Sequence, residues 1–314
     1  MTGPAPPRYD AAWYTPSRLP DEFAALGQSV EGGLSVGAPG KVGLLELGLA
    51  RLGGVTRVER QYQRAPLHVY RPIHLDPLRP EMAFIFVQQY GDGFVHGDRC
   101  RIDIDCGPDT AVHVTTQAAT NVYRAESNFA TQLVDLRTGP GAILEYLPEA
   151  VVPYRGSRFF QRTSLTMHPD STAILGELLL PGRAARGERH AYDVYWAETE
   201  ARDVNGRLLF ADTLRIAPSE FVGSSLGMLG DLDVVGSLFV LTKHATRDLV
   251  ALLRAALAGH SDVLSGVSEL PNESGVVVRL LGPESRSVRA ALRSAWSSVR
   301  LELIGAPAPD LRKG

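Results

Sequence analysis

The feature that most constrains this chain is a strict alternation of apolar and polar residues over positions 100–106. The run reads Cys-Arg-Ile-Asp-Ile-Asp-Cys, with the apolar residues on one parity and the charged residues on the other. Because successive side chains of a strand point to opposite faces, this pattern predicts a half-buried β-strand. The turn sequence Gly107-Pro108-Asp109 ends it.

Similar short runs recur along the chain, separated by Gly, Pro, Asn and Asp at intervals of about ten residues. They cover residues 82–89, 111–116, 132–137, 142–147, 158–167, 172–180, 192–204 and 207–216. This rhythm is typical of sandwiches, barrels and β-solenoids. Between the last two runs, Asn205-Gly206 predicts a β-hairpin with a type I′ turn.

The C-terminal third changes to a helical period. Residues 242–260 and 287–303 predict two helices, with a short strand over 275–281 between them. The second helix carries three arginines mostly off its apolar stripe, so we expect them on a solvated face: Arg289, Arg293 and Arg300. The predicted fold class is mainly β: a β-helix-like or layered body of many short strands, with a small C-terminal part that contains two helices.

Composition along the chain predicts four segments. Residues 1–22 are proline-rich and are expected to form a mobile leader. Residues 23–220 form a β-rich body, residues 221–304 an α+β part packed on it, and residues 305–314 a flexible tail. No fixed-period repeat is visible in the sequence.

Charge and cysteine content argue against several classes of protein. The 314 residues carry 32 Lys and Arg against 35 Asp and Glu, a net charge of −3, which argues against binding to nucleic acid. Cys100 and Cys106 are too few for a disulfide scaffold or a four-cysteine zinc site. Since neither a signal-peptide pattern nor a membrane-length apolar run occurs, we expect a soluble, cytoplasmic protein.

Catalytic motifs are matched only in part. G-x-S-x-G occurs at residues 33–37 and 223–227, but neither match is followed by the helix that a nucleophile elbow requires. Gly40-Lys41 lacks the other residues of a phosphate loop, and no two of the eight histidines have helical zinc-motif spacing. We therefore expect neither a nucleotide site nor a permanently bound metal.

A carboxylate in the middle of the chain has two interpretations. Glu145 lies inside Leu144-Glu145-Tyr146-Leu147, where an unpaired buried charge would be costly. In the first interpretation, the alternation of the strand places the Glu145 side chain on its outer face, where it contacts solvent or an arginine. Alternatively, Glu145 lines a polar channel or an interface. The residue types favour the first interpretation and leave the second open.

Five blocks, in this order, resemble the urease accessory proteins called UreD, or UreH in some organisms. They are Gly97-Asp98-Arg99, residues 115–124 (TTQAATNVYR), residues 144–148 (LEYLP), Gly182-Arg183 with Gly187-Glu188, and residues 266–271 (GVSELP). The resemblance spans roughly residues 28–305. Asn121 stands where that family usually has a lysine, and residues 91–96 depart from its plainer Gly-Gly pattern.

The resemblance implies a non-enzymatic urease maturation factor. Such proteins bind apo-urease and a UreF-like helical protein, and through the latter they connect to a UreG-like GTPase that brings nickel. They are thought to offer an internal channel to the metal, so nickel would be cargo in transit and no cofactor would be bound permanently. Oxygen ligands hold Ni(II) less tightly than imidazole or thiolate ligands do, which suits release.

The resemblance also suggests site residues. Carboxylates in or near the family-like blocks are candidates to line or gate the nickel route: Asp98, Glu145, Glu177 and Glu188. Strand-forming residues with hydroxyl groups are expected to support it by packing and by satisfying the backbone: Thr115, Thr116, Thr120 and Tyr123. Arg183 is expected to pair with Glu188 or to face a partner.

Two other functions stay open. A carbohydrate hydrolase needs two carboxylates across a cleft, such as Glu145 and Glu177, although an aromatic content of 7% offers little stacking surface for sugars. A generic protein-interaction module without a metal role is the second alternative. A nickel-loading assay would separate that module from a maturation factor.

Overall fold

The computed structural model describes residues 8, 10–27, 40–91, 93–220, 229–230, 232–244 and 246–311. Both G-x-S-x-G sequences lie outside these residues. The described helices are α1 (Asp21–Gly27), α2 (Thr246–Leu257) and α3 (Ser285–Ile304). The described strands are β1 (Val42–Leu52), β2 (Val55–Arg64), β3 (Leu67–Val69), β4 (Ala83–Gln89), β5 (Arg99–Cys106), β6 (Ala111–Thr116), β7 (Thr120–Val122), β8 (Ala130–Thr138), β9 (Ile143–Tyr146), β10 (Val151–Pro153), β11 (Arg158–Met167), β12 (Thr172–Leu179), β13 (Val194–Asp203), β14 (Leu208–Ile216), β15 (Val234–Leu241), β16 (Leu264–Glu269) and β17 (Gly275–Gly282).

The strands form two sheets that face each other. Within the described residues, sheet 1 has the order β14-β13-β11-β8-β5-β1-β2, and sheet 2 follows β16-β17-β15-β12-β9-β6-β4-β3 with β7 and β10 at its margin. From β4 to β13 the longer strands alternate between the sheets, and neighbours within each sheet are parallel. This winding is that of a β-solenoid, which confirms the predicted mainly β, β-helix-like fold class.

The solenoid core explains the alternation in the sequence. The apolar residues of β5, from Cys100 to Cys106, are at most 2% exposed and join side chains of sheet 2 such as Leu144 and Leu175 between the sheets. Strands buried on both faces lack this alternation. All eight residues of β15 are buried, for example, and their mostly apolar run, which includes Ser237, did not predict a separate strand.

Three short turns on one side of the solenoid are equivalent. They begin at Gly107, Gly139 and His168, and each has proline at its second position. In each, the fourth residue donates its N–H to the carbonyl of the first, at 3.4, 3.2 and 3.0 Å respectively. Proline fixes the φ that the second position of such a turn needs. The three turns therefore form a structural repeat, which the sequence analysis missed.

The hairpin predicted at Asn205-Gly206 joins β13 and β14, but its turn is not of type I′. A type I′ turn needs positive φ at both central residues. Here Gly206 has a φ of 85°, whereas Asn205 is not in the positive-φ region. The N–H of Gly206 bonds to the carbonyl of Asp203, and the N–H of Asp203 bonds to the carbonyl of Arg207. The loop is thus one residue longer than the prediction requires.

The C-terminal part continues sheet 2 and covers its outer face. β15 pairs antiparallel with β12 and with β17, and β16 extends the sheet at that edge. Both predicted helices are present, and they pack on sheet 2 through an apolar cluster that includes Ile174, Leu253 and Val299. The expectation for Arg300 was wrong, because its side chain is fully buried in this layer.

Residues 8 and 10–27, here called the N-terminal strap, cross the outer face of sheet 1. Arg8 stacks on Tyr62 of β2 and pairs with Glu46 of β1. Further along, the Trp13 ring lies 3.8 Å from the Arg101 guanidinium of β5. The described part of the predicted leader is therefore packed on the body.

α1, which no sequence pattern predicted, ends the strap. Phe23 is fully buried against Phe129, Phe160 and Trp196, with ring centroids 5.0, 5.6 and 6.2 Å away. At the far edge, Glu22 accepts hydrogen bonds from Arg215 of β14: from Nη2 at 2.7 Å and from Nε, shared between the two carboxylate oxygens, at 3.1 and 3.2 Å. A seven-residue helix is unstable alone, so this packing holds it.

The described residues of the predicted tail also pack on the protein. Ala306 is fully buried, and the carbonyl of Pro307 accepts a hydrogen bond of 3.2 Å from Arg300. The Ser297 hydroxyl accepts a bond of 3.1 Å from the N–H of Ala308. Among the helices of the described residues, none combines the length and apolar character that crossing a bilayer requires.

Candidate functional site

The four carboxylates considered as candidates from the sequence have four different environments. The first of them is Asp98. Asp98 is fully buried at the start of β5. Its Oδ1 accepts the backbone N–H of Lys41 at 2.5 Å, and its Oδ2 accepts that of Val95 at 2.9 Å. Both oxygens thus satisfy backbone donors, the arrangement of a carboxylate that fixes a turn.

Glu188 is held by Arg183 on the surface of the solenoid. Arg183 donates to both carboxylate oxygens, at 2.6 and 2.8 Å, which is a bidentate pair. This hydrogen bonding lowers the pKa of Glu188 below its ordinary value, against a smaller opposing effect of burial. The Arg183 guanidinium also lies 4.2 Å from the centroid of the Tyr154 ring, and Tyr154 contacts Tyr123 edge-on.

Glu145 points away from the solenoid interior, into the layer under α3. It is fully buried and accepts a hydrogen bond of 2.7 Å from Arg300. Its other oxygen lies 2.7 Å from Nδ1 of His113. Of the two sequence interpretations, the outward position paired with an arginine is therefore the one observed. Solvent plays no part, because α3 covers this face of the sheet.

Glu177 points into the interior between the sheets. It accepts a hydrogen bond of 2.6 Å from the hydroxyl of Thr199 in β13, across the core. Burial raises the pKa of Glu177. The hydrogen bond from Thr199 and the charge of Arg279 oppose this shift, whereas the charge of Asp212 adds to it. Of the four carboxylates considered from sequence, Glu177 is the one that faces the interior.

Glu145 and Glu177 therefore lie on opposite faces of sheet 2. The neighbours of Glu145 in β9, Leu144 and Tyr146, point into the core that Glu177 also faces. A glycosidase needs its two carboxylates on either side of one sugar. The pair considered for a hydrolase cannot act in that way, because the sheet separates the two side chains.

A polar row crosses the otherwise apolar interior beside Glu177. In sheet 2, Glu177 is in register with Ser237 and Ser237 with Arg279. Arg279 donates to the Ser237 hydroxyl at 2.5 Å and forms an ion pair with Asp212 of β14. Polar side chains at interior-facing positions of core strands are costly unless they are bonded, and each of these has a partner.

Three neighbouring cavities lie beside sheet 2: two are between the two sheets, and the third is on the outer face of sheet 2. The first, about 280 Å³, is lined by residues that include Tyr90, Thr116 and Asn121. The second is a constriction of about 20 Å³, near the size of one water, between Gln161, Thr163 and Glu177. The third, about 210 Å³, lies between sheet 2 and α3.

Neighbouring cavities share wall residues. Thr120 and Gln132 line the first and the second cavity. Gly176, Glu177 and Leu178 line the second and the third. Glu177 therefore stands where the constriction meets the third cavity. We call this series of adjoining cavities the cavity line.

The residues expected to give support make the following contacts. Thr115 donates to the carbonyl of Leu147 at 2.6 Å, and Thr116 donates to that of Ala118 at 2.9 Å. Thr120 lines the cavity line, whereas Tyr123 contacts Tyr154 at the surface. Asn121 forms part of the wall of the first cavity.

Sequence analysis missed most polar residues of the interior. They are Gln132, Gln161, Thr163, Thr199, Asp212 and Arg279. A signal was present, because these residues share parity with apolar core residues of the same strands. Within the described residues, no three His, Cys, Asp or Glu side chains converge as a metal cluster would require. The first two cavities offer hydroxyl, amide and carboxylate oxygens.

Comparison with known proteins identifies the family. A family model described as UreD urease accessory protein matches residues 41–313. The chain is 42% identical to urease accessory protein UreD 2 of Streptomyces griseus, over 93% of this chain and 100% of that protein. It is 36% identical to UreD of Haloarcula marismortui, over 89% and 93% of the two chains, and 34% identical to UreD of Cenarchaeum symbiosum, over 90% and 99%. The chain therefore belongs to the UreD family of urease accessory proteins, as its sequence blocks suggested.

Proposed function

We propose that this protein is a non-enzymatic urease maturation factor of the cytoplasm. It joins apo-urease to a UreF-like protein and, through that protein, to a UreG-like GTPase. Nickel is its cargo, and the protein holds no resident cofactor. Family membership supports the maturation role, and the interior geometry supports a passage for the cargo.

The cavity line is the single observation that carries the nickel route. Its first two cavities lie between the sheets, and Glu177 lines both the second cavity and the third, which lies under α3. Neutral hydroxyl and amide oxygens exchange with the water shell of Ni(II) without binding it tightly. A passage of this composition favours entry and still allows release.

Glu177 supplies the negative charge at the narrow part of the route. Burial raises the pKa of this carboxyl, so a proton competes with a metal ion for it. An arriving dication favours the ionised form of the carboxyl, and protonation of the carboxyl favours release of the dication.

The other three carboxylates have structural roles in this proposal. Asp98 satisfies backbone N–H groups, Glu145 pairs with Arg300, and Glu188 pairs with Arg183. Their oxygens are already engaged, and none of the three lines the cavity line. Of these four carboxylates, the route therefore depends on Glu177. Glu149 also lines the second and third cavities, but it pairs with Arg289.

The test is nickel transfer to apo-urease in a purified system. Apo-urease, the UreF-like and UreG-like proteins, GTP and nickel are combined with this chain or without it, and urease-bound nickel and activity are measured. Loss of both without the chain supports the maturation role, whereas full loading without it overturns that role.

Variants then test the route separately. Glu177→Gln removes the charge and keeps the shape, so we expect slower nickel loading with unchanged complex assembly. Glu200→Gln is the matched control, because Glu200 lies in β13 on the outer face and contacts Arg202. Equal loading by wild type and Glu177→Gln would overturn the route and leave a scaffold without a metal passage.

A further inference from the structure

Three loops meet on the side of the solenoid opposite the proline turns. They carry residues 123–124, 154–156 and 183–188. The N–H of Tyr154 bonds to the carbonyl of Val122 at 2.8 Å, and that of Ala125 bonds to Gly156 at 2.9 Å. The third loop joins them through the N–H of Arg155, which is 3.4 Å from Glu188 Oε2. We call this surface the arginine patch: Arg124, Arg155, Arg183, Arg186 and Glu188.

The patch has an excess of positive charge. Its four arginines are accompanied by the single carboxylate of Glu188, which Arg183 already holds. Arg124, Arg155 and Arg186 are exposed, and in the described part of the chain none of them forms an ion pair. Several surface arginines of sheet 1 do pair, as Arg158 does with Asp193 and Arg215 with Glu220. The patch is thus a local basic surface on a chain of net charge −3.

Aromatic stacking fixes the position of this surface. Arg183 lies over Tyr154, and Tyr154 contacts Tyr123 with centroids 4.9 Å apart. Burial raises the pKa of Tyr154, and both Arg183 and Arg186 are near enough to oppose that shift. The stem of Arg124 packs beside Gly156, where an added Cβ would lie 3.3 Å from Cγ. Interface centres are enriched in Arg and Tyr, and side chains that stacking already holds in place lose little entropy on binding.

From this arrangement we propose that the arginine patch is a docking surface for a carboxylate-bearing surface of a protein partner. The proposal rests on the proposed function, in which two proteins bind this chain directly. Binding to nucleic acid is disfavoured, because the patch is small and the rest of the chain is acidic. A protein surface with several Asp or Glu side chains matches both the charge and the exposed, forked donors of the arginines.

The experiment uses a double charge reversal in the full-length chain. Arg155→Glu with Arg186→Glu removes two exposed positive charges and leaves the Arg183–Glu188 pair intact. Arg57→Glu with Arg247→Glu is the matched control, because these arginines are also exposed but lie on β2 and α2. Affinities for apo-urease and for the UreF-like protein are measured by biolayer interferometry at low and at high salt.

We expect the patch variant to bind one of the two partners about tenfold more weakly at low salt, with a smaller difference at high salt. The control should bind both partners as wild type does. Polyglutamate should compete with the same partner for the wild-type chain, which tests the patch without any substitution.

The outcomes separate the two proposals. Unchanged binding of both partners, together with no effect of polyglutamate, would overturn the docking surface while leaving the maturation role intact. If the patch variant binds both partners equally weakly, or has a lowered melting temperature, the docking surface is also contradicted. The exception is the case in which polyglutamate competes with one partner alone for the wild-type chain. If the wild-type chain binds neither partner, the proposed function itself fails.

Discussion

Arg300 of α3 donates a hydrogen bond of 2.7 Å to Glu145 of β9, and both side chains are completely buried. Arg300 also donates to Asp76 at 2.5 Å, and the second oxygen of Glu145 lies 2.7 Å from His113. This network ties the C-terminal helix and the loop after β3 to sheet 2. Because the third cavity lies between that sheet and α3, the network also fixes one end of the cavity line.

Arg300→Met should destabilise the protein by about 3–5 kcal/mol, because it leaves two buried carboxylates without their cation. Urea denaturation followed by circular dichroism measures the change. Arg293→Met is the control on the same helix, and since Arg293 is exposed its loss should cost less than about 1 kcal/mol. Similar effects of the two substitutions would show that the buried network contributes little to stability.

Glu177→Gln should stabilise the protein at neutral pH while it slows nickel transfer. Because burial raises the pKa of Glu177, the folded state binds its proton more tightly than the unfolded state does, so stability falls as pH rises through the raised pKa. Glutamine has no charge to desolvate, and it still accepts the Thr199 hydrogen bond.

The difference in melting temperature between this variant and wild type should vanish below the ordinary carboxyl value of 4.5 and grow toward neutral pH. Differential scanning fluorimetry across that range measures it. A difference that is constant with pH would mean that the substitution acts through packing and that Glu177 is not held in a costly ionised state.

Alternation in the sequence predicted those strands that have one face in the core and the other face polar. Residues 158–167 coincide with β11 for this reason. β1 and β15 were missed because their burial leaves no alternation. The repeat at Pro108, Pro140 and Pro169 was hidden because the flanking residues differ and only the turn geometry is shared.

The site was only partly predictable because alternation separates two faces without saying what covers each. The alternation alone could not show that Glu145 contacts α3 and that Glu177 contacts the opposite sheet. The sequence also led to a wrong expectation for Arg300, for a related reason. An arginine near an apolar stripe usually extends its charged end to solvent, and its burial depends on Asp76 and Glu145, which are distant in sequence.

Phe23→Ala should release α1 from sheet 1. A buried Phe-to-Ala change removes about 3 kcal/mol or more of packing free energy, and a helix of seven residues has little stability of its own. Limited proteolysis with mass spectrometry should detect early cleavage within residues 10–27 of the variant, before the solenoid is cut.

Glu22→Gln is the matched control for this helix. It weakens the partly exposed pair with Arg215 and should cost about 1 kcal/mol or less, with little change in proteolysis. If Phe23→Ala leaves the cleavage pattern of wild type unchanged, the aromatic contacts do not hold the strap.

Cys100 and Cys106 should resist thiol reagents in the native protein. Both are fully buried between the sheets, and burial raises the pKa of the Cys100 thiol to about 12 and that of Cys106 well above its ordinary value. Since the thiolate is the reactive form, the native chain should react with Ellman's reagent only as fast as sheet 1 opens. In denaturant both thiols should react at once. Fast reaction of either thiol in the native chain would show that β5 opens locally, without unfolding of the solenoid.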